Sequence, residues 1–175
     1  MFYRSIASLS CTLVLTAASF AQGAKPVASP PETATASLNG HTVTISYGAP
    51  SMRGRKIMGE VVPYDKVWRT GANDATSLTT DVALKVGGTM VPAGSYTIYT
   101  GPGASRWLLI INKQTKQWGT EYHQEQDLAR IPMKSATLSS PQEQMSISFE
   151  NTRGNSTELH IKWENTDVSV PVMAQ

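Results

Sequence analysis

The residues with the clearest chemical potential are three arginines within residues 49–74, namely Arg53, Arg55 and Arg69. A guanidinium group presents a planar fork of N–H donors that matches the oxygens of carboxylate, phosphate and sulfate groups. Glycines beside the arginines let backbone N–H groups approach a bound anion. The segment therefore predicts a pocket for an anionic or polar ligand. The alternative is that the same arginines only fix the segment through carboxylates and backbone carbonyls.

Aromatic and amide side chains near the arginines complete the candidate site. Trp68 adjoins Arg69, and Asn73 follows shortly after, in a segment without strand periodicity. An indole ring can pack against the face of a ligand, and an amide both donates and accepts hydrogen bonds. Trp118 is a further candidate for ligand contact, whereas Trp163 fits a strand pattern and is expected in the core. The predicted ligand-binding set is Arg53, Arg55, Trp68, Arg69 and Asn73.

The three histidines, His41, His123 and His160, do not form a metal-binding pattern. A metal site requires two or three ligands that meet at one point, often with local spacing such as His-Glu-x-x-His. Glu121 and His123 are a close acid–histidine pair, but they supply no third ligand. We therefore predict no metal and, since no P-loop or dinucleotide fingerprint occurs, no cofactor. His41 and His160 lie on the outward phases of their strands and are expected to face solvent.

Two classes of function are compatible with these residues. The first is a non-enzymatic binding module that takes a small polar or anionic ligand, a glycan or a protein of the cell envelope. The second is a hydrolase or lyase in which Arg53 and Arg69 stabilise negative charge and His123 or Asp74 acts as the base. No Gly-x-Ser-x-Gly elbow occurs, so the pattern favours the binding module and leaves enzymatic activity open. An enzyme would need its base within about 3–4 Å of a cavity that Arg69 also lines.

Alternating apolar and polar residues predict the strands that must carry this site. Val43, Ile45 and Tyr47 alternate with polar residues, and comparable sets recur along the chain. A period of two is the period of a β-strand. Asn39-Gly40 and Gly87-Gly88 lie between such sets and are typical of hairpin turns. Eight or nine short strands predict an all-β fold, an antiparallel β-sandwich that is jelly-roll-like, with one long ordered loop.

The sequence also predicts a central strand, a turn, one helical turn and the residues of the core. Trp107–Ile111 is continuously apolar and short, so we expect a central strand that is covered on both faces. Asn165–Asp167 is polar and is predicted to turn the chain. Gln124–Arg130 could form one helical turn. The core is expected around the apolar sets that include Val43, Ile110, Phe149, Ile161 and Val170.

Residues 49–74 interrupt the strand pattern with 26 residues that include three glycines and two prolines. Loops of this length in a compact domain are usually functional or disordered. Apolar residues inside the segment, among them Ile57 and Val62, argue against disorder. We therefore expect an ordered loop that packs its own apolar residues over one end of the sandwich and carries the candidate site.

The N-terminus has the features of an export signal. Arg4 is the only charged residue in the first 24 and precedes an apolar stretch. Ser19-Phe20-Ala21 supplies small residues for cleavage after Ala21. The predicted organisation is a signal peptide over residues 1–21, a flexible Pro- and Ala-rich lead-in over residues 22–32, and one β-sandwich domain over residues 33–175. We expect the protein to be exported, either periplasmic or extracellular, without a transmembrane segment after cleavage.

Composition excludes several classes of protein. Fifteen basic and 13 acidic residues give a net charge of +2, too weak a bias to indicate nucleic-acid binding. The only cysteine, Cys11, falls within the predicted signal peptide, so the exported chain would have neither thiol chemistry nor thiolate metal sites. The content of Val, Ile, Leu and Trp is too high for a disordered chain.

Several motifs resemble those of a secreted bacterial family that is catalogued as domain of unknown function 2911. The most specific motif is Trp68-Arg69-Thr70-Gly71-Ala72-Asn73, and the resemblance covers roughly residues 35–172. The family name implies no activity and therefore no catalytic residue, but the resemblance implies that the long loop is a shared feature. The other matching segments are Ser51–Ile57, Val62–Tyr64, Pro92–Tyr96, Asn112-Lys113 with Trp118-Gly119, and Ser146–Asn151.

Overall fold

The structure is a computed structural model that describes residues 28–175. The predicted signal peptide and most of the predicted lead-in lie outside this range. The first strand begins at Pro31, so the last two residues of the predicted lead-in belong to the sheet. In the described part of the chain, no helix is long and apolar enough to cross a membrane.

Nine strands and one short 3₁₀ helix, Gln124–Gln126, make up the described chain, and the predicted all-β fold is confirmed. The strands are β1 Pro31–Leu38, β2 His41–Gly48, β3 Ala72–Thr80, β4 Leu84–Val86, β5 Thr89–Val91, β6 Gly94–Gly101, β7 Trp107–Asn112, β8 Asp127–Arg153 and β9 Ser156–Ala174.

All nine strands belong to one continuous antiparallel sheet in the order β1-β2-β3-β6-β7-β8-β9-β4-β5. The first part of β8 pairs with β7, and its remainder pairs with β9. Strand β8 thus joins the two halves of the sheet. A sandwich of two separate sheets in jelly-roll order stays a prediction.

The two halves of the sheet face each other across one apolar core. Val43 and Ile98 from one half and Phe149 and Val172 from the other line the same small internal space. Of the predicted core residues, Val43, Ile161 and Val170 are buried in this core. Phe149 is only half-buried and packs against its margin.

Strand β7 is covered on both faces, as its continuous apolar sequence predicts. Leu109 and Ile111 point into the core, whereas Ile110 is buried on the opposite face beside its register partner Tyr99. The hydroxyl group of Tyr99 donates a hydrogen bond to the carbonyl oxygen of Glu121, so the segment after β7 covers this outer face. That segment also forms one wall of the site described below.

Most predicted turns are confirmed, but the one at Asn165–Asp167 is wrong. Leu38 pairs with His41, so Asn39-Gly40 forms a two-residue hairpin turn with φ of 50° and 87°. In contrast, β9 runs without a break through residues 156–174. Glu164 has a φ of 53°, and the register between β8 and β9 shifts nearby. The polar residues therefore lie within a long strand, next to a register shift at which β8 carries the extra residues, and β8 and β9 are longer than the predicted short strands.

We expect the core to respond to substitution according to burial. Ile45→Ala, at a fully buried position, should lower the free energy of unfolding by about 2–5 kcal/mol. Phe149→Ala should cost less than the ~3–5 kcal/mol typical of a fully buried phenylalanine. Denaturant unfolding checks both values, with the exposed Met90→Ala as a control of less than ~0.5 kcal/mol. Equal losses at Ile45 and Met90 would contradict this assignment of the core.

Candidate functional site

The long loop is ordered and occupies residues 49–71, because β3 already begins at Ala72 rather than after Asp74. Its side chains Ile57, Met58 and Val62 are buried in the main core. The backbone N–H groups of Gly59 and Val62 donate to the carbonyls of Val62 and Ile57 at 2.9 Å, which closes a tight internal turn. The predicted packing of the loop through its own apolar residues therefore agrees with the structure.

A carboxylate on β9 binds the middle of the loop. The N–H of Ile57 donates to Oε1 of Glu164 at 3.0 Å, and the N–H of Met58 donates to Oε2 at 3.1 Å. Both carboxylate oxygens thus accept backbone hydrogen bonds, which are stronger for a charged acceptor. Glu164, which has a positive φ and faces the irregular stretch of β8, is the point of β9 from which this carboxylate reaches the loop.

The end of the loop is held by an aromatic stack and by backbone pairing. Trp68 stacks on Trp163 of β9 with ring centroids 5.9 Å apart and planes inclined by 17°. Trp68 also exchanges two backbone hydrogen bonds with Thr100 of β6, at 2.8 and 2.9 Å. Trp163 and Glu164 are consecutive, so one short stretch of β9 fixes the loop at two places.

Thr70 makes the sharp bend between Trp68 and β3. It is fully buried and has a φ of 56°, a conformation that is unfavourable for a β-branched residue. Its hydroxyl group donates to the carbonyl of Trp68 and to Oγ1 of Thr100, and its carbonyl accepts from the hydroxyl group of Thr76 at 2.9 Å. These bonds hold the strained backbone and set the direction of its neighbour Arg69.

The loop, β9 and the segment after β7 enclose a pocket of about 430 Å³. We call it the arginine pocket because two of the predicted arginines line it. The lining residues are Ser29, Pro50, Arg55, Val61, Val67, Trp68, Arg69, Gly71, Ala72, Tyr99, Gly119, Thr120, Tyr122 and Trp163.

Arg55 and Arg69 reach the pocket with most of their N–H donors unused by the described residues. Arg55 donates from Nε to the carbonyl of Met52 at 3.0 Å and from Nη2 to the carbonyl of Ser51 at 2.8 Å. Half-buried Arg69 donates from Nε to the carbonyl of Gly71 at 3.0 Å. Neither forms an ion pair with a carboxylate of residues 28–175. Their positive charge is therefore available to a ligand.

Arg53 and Asn73 do not line the pocket, although the sequence places them in the same candidate set. Nη2 of Arg53 donates to the carbonyl of Ala28 at 3.0 Å, and Nδ2 of Asn73 donates to the carbonyl of Ser29 at 3.3 Å. Both side chains fix the chain just before β1. Since Ser29 lines the pocket, Arg53 and Asn73 affect the site only indirectly, because they fix the backbone at Ala28 and Ser29.

Two tyrosines form the aromatic wall opposite the loop. Tyr99 and Tyr122 meet edge to face with centroids 5.0 Å apart. The hydroxyl group of Tyr122 donates to Oδ2 of Asp127 at 2.7 Å and accepts from Arg130. Burial, together with the hydrogen bond and charge of Asp127, raises the pKa of Tyr122 to about 12. Tyr122 is therefore a neutral, fixed wall at physiological pH.

A glycine is required at position 119, where the side chain of Arg69 packs closely against the backbone. A Cβ atom at this position would lie 2.7 Å from the carbonyl oxygen of Asn73 and 2.9 Å from Cδ of Arg69. Neither distance is compatible with a side chain, so any larger residue would displace Arg69 from its present position.

The two candidate bases of the enzyme hypothesis lie outside the arginine pocket. Exposed His123 pairs with Glu125, with Nδ1 and Oε1 3.2 Å apart. Asp74 lines two neighbouring hollows instead. Among the residues that line the pocket there is no carboxylate and no imidazole.

Sequence reasoning missed the wall formed by Tyr99, Tyr122 and Trp163. Trp163 was expected in the core, and it is indeed buried. Its side chain also lines the arginine pocket. Tyr99 follows the outward phase of β6, where its partner Ile110 lies on the equally apolar outward phase of β7. Apolar residues on both phases of adjacent strands are the signal that this outer face is covered.

A second cluster of titratable side chains lies on β8 and β9. His160, expected to face solvent, has only 13% of its side chain exposed, and its Nδ1 lies 2.8 Å from Oδ1 of Asp167. Nζ of Lys162 lies 2.6 Å from Oε1 of Glu150. The outward side chains of His160 and Lys162 are thus partly shielded from solvent by the carboxylates with which they pair. Within residues 28–175, no group of three or more His, Cys, Asp and Glu residues could hold a metal ion.

Fold and site together define an all-β protein with a polar, arginine-lined pocket built by one ordered loop. A family model described as "Protein of unknown function (DUF2911)" matches residues 29–172. The chain therefore belongs to this family, which confirms the resemblance seen in its motifs. No curated protein and no solved structure matches the chain.

We expect the two loop residues Trp68 and Arg69 to differ in their effect on stability. Trp68→Ala removes a buried stack and should lower the free energy of unfolding by about 3–5 kcal/mol. Arg69→Ala removes one hydrogen bond to a carbonyl and no ion pair, so it should cost about 1 kcal/mol. Denaturant unfolding separates the two; a loss at Arg69 as large as that at Trp68 would show that Arg69 is a structural anchor.

Acid should weaken the fold partly through Glu150. Hydrogen bonds from Lys162 and Ser148 lower the pKa of Glu150 below its usual 4.5. A carboxylate whose pKa is lower in the folded state stabilises the fold above its ordinary pKa, and this contribution is lost as pH falls from about 4.5 through the folded-state value. Glu150→Gln should therefore reduce the difference in unfolding free energy between about pH 7 and about pH 3. Urea unfolding at both pH values measures it, and an unchanged difference would contradict the assignment.

Proposed function

We propose that this protein is a non-enzymatic binding module that holds a small anionic ligand in the arginine pocket. The observation that carries the proposal is the pair Arg55 and Arg69. Both guanidinium groups line one pocket, and neither is neutralised by a carboxylate of the described residues. Exposed Arg55 and half-buried Arg69, both without ion pairs, favour an anion, which would complete their hydrogen bonds.

The walls of the pocket favour a ligand with an apolar or planar body. Trp68, Trp163, Tyr99 and Tyr122 supply aromatic surface, and Val61 and Val67 add aliphatic surface at the loop. A few polar groups among apolar walls are typical of small-molecule sites. A carboxylate attached to a planar ring matches both the arginines and the aromatic walls.

The lining supports binding rather than catalysis. A hydrolase or lyase needs a base within hydrogen-bond reach of the reacting group. His123 and Asp74 do not line the pocket, and the pKa of Tyr122 is raised well above physiological pH. Binding requires only the shape and charge that the pocket has.

We also propose that the protein acts outside the cytoplasm, in the periplasm or beyond the cell. The support is the sequence of residues 1–21, with its single positive charge, apolar stretch and small residues before the predicted cleavage site. A module of the cell envelope would meet ligands supplied from the surroundings of the cell.

Titration calorimetry with benzoate, phosphate, sulfate and citrate tests the binding proposal. At least one of these anions should bind, and Arg55→Ala and Arg69→Ala should each weaken it about tenfold, as expected for loss of a charge-assisted hydrogen bond. Lys85→Ala, which removes an exposed cation from β4, is the matched control and should leave binding unchanged.

Two results would contradict the proposal. One is the absence of binding by all four anions. The other is equal weakening in Lys85→Ala and in the pocket variants, which would show a response to net charge rather than a defined site.

A further inference from the structure

A second area of the sheet's outer surface carries mostly hydroxyl side chains. Strands β1, β2, β3 and β6 are neighbours, and their inward residues form the core. Two rows cross all four strands in register. The outward residues of this field are Thr33, Thr35, Ser37, Thr42, Thr44, Ser46, Ser77, Thr79, Ser95 and Thr97.

Two adjoining hollows deepen this face into a trough. One has a volume of about 600 Å³ and the other about 480 Å³, and they share Asp74, Ala75 and Ser77. Hydroxyl groups of all four strands contribute to their floors. We call the combined depression the hydroxyl trough. It adjoins the arginine pocket at Ser29 and Ala72 but is not lined by Arg55 or Arg69.

The rim of the trough is a short backbone segment that pairs with the start of β3. The N–H of Ala75 donates to the carbonyl of Gln117 at 3.2 Å, and the N–H of Gly119 donates to the carbonyl of Asn73 at 3.1 Å. Between these bonds, Asp74 and Trp118 are antiparallel partners. Such partners have their side chains on the same face, with Cβ atoms about 4.5–5.5 Å apart.

Trp118 therefore lies beside Asp74 at the margin of the trough, although it lines neither hollow. Trp118 is 48% exposed, a large apolar surface on a segment whose backbone is held on both sides. Asp74 lines both hollows and forms no ion pair with the described residues. An exposed indole beside an unpaired carboxylate needs a ligand that has both apolar and hydroxyl surface.

The charge of the trough indicates a neutral ligand. Apart from Asp74, its charged lining residues are Glu32 in one hollow and Lys116 in the other. The remaining polar groups are hydroxyls and the amides of Asn73 and Gln117, which donate and accept hydrogen bonds equally well. Many neutral donors and acceptors with little net charge match a surface of hydroxyl groups.

We propose that the hydroxyl trough binds a neutral oligosaccharide. The Ser and Thr hydroxyls exchange hydrogen bonds with the sugar hydroxyls, and the carboxylate of Asp74 accepts from two of them. The apolar face of one sugar ring packs on the indole of Trp118. This site is separate from the arginine pocket, so its test is independent of the anion.

Affinity electrophoresis in native gels tests the proposal with five neutral polysaccharides: hydroxyethylcellulose, xylan, glucomannan, soluble starch and a soluble β-1,3-glucan. At least one should retard the protein. Trp118→Ala and Asp74→Asn should each weaken that retardation about tenfold, since both remove a direct contact. Met90→Ala removes an equally exposed apolar side chain, 52% accessible on β5, and should migrate as the unchanged protein does.

Folding of each variant is checked by its thermal unfolding midpoint. Asp74→Asn preserves shape and provides the test if Trp118→Ala is destabilised. Absence of retardation by all five polysaccharides would overturn the proposal. Retardation that persists unchanged in both Trp118→Ala and Asp74→Asn would overturn it as well.

Discussion

The attachment of the long loop to Trp163 and Glu164 of β9 is the interaction on which the rest of the site depends. Glu164 accepts two backbone hydrogen bonds from the middle of the loop, and Trp163 stacks on Trp68 at its end. Without them, 23 loop residues would have to order mainly through their own contacts. Because ordering a backbone costs roughly 1–2 kcal/mol per residue, these attachments select one loop conformation.

That conformation explains the most specific motif of the family in physical terms. Within Trp68–Asn73, the tryptophan anchors the loop, the arginine enters the pocket, and Thr70 adopts a strained bend held by three hydrogen bonds. Asn73, also at a positive φ, ties down the chain before β1. Most of the motif is thus structural, and it serves to position one guanidinium group.

Sequence periodicity predicted the fold better than the site. Alternation identified the strands because burial of one face imposes a period of two. The turn predicted at Asn165–Asp167 was wrong because polar residues occur both in turns and in strands beside an irregular pairing, and only the pairing partners distinguish the two. The three predicted arginines do not share one site: Arg55 and Arg69 line the pocket, whereas Arg53 donates a hydrogen bond to Ala28. Sequence could not distinguish them because side chains in an irregular loop follow no period. The tyrosine wall depends on a contact between distant segments that no local pattern contains.

Hydrogen exchange in Glu164→Ala tests the central claim most directly. Removal of this carboxylate leaves two backbone donors without their acceptor, which costs about 1–3 kcal/mol where they are buried. The account predicts faster exchange at the amides of Ile57, Met58 and Trp68 and unchanged exchange in β7. Glu60→Ala, which removes an exposed carboxylate from the same loop, should leave all of them unchanged. Unchanged exchange across residues 49–71 in Glu164→Ala would contradict the account.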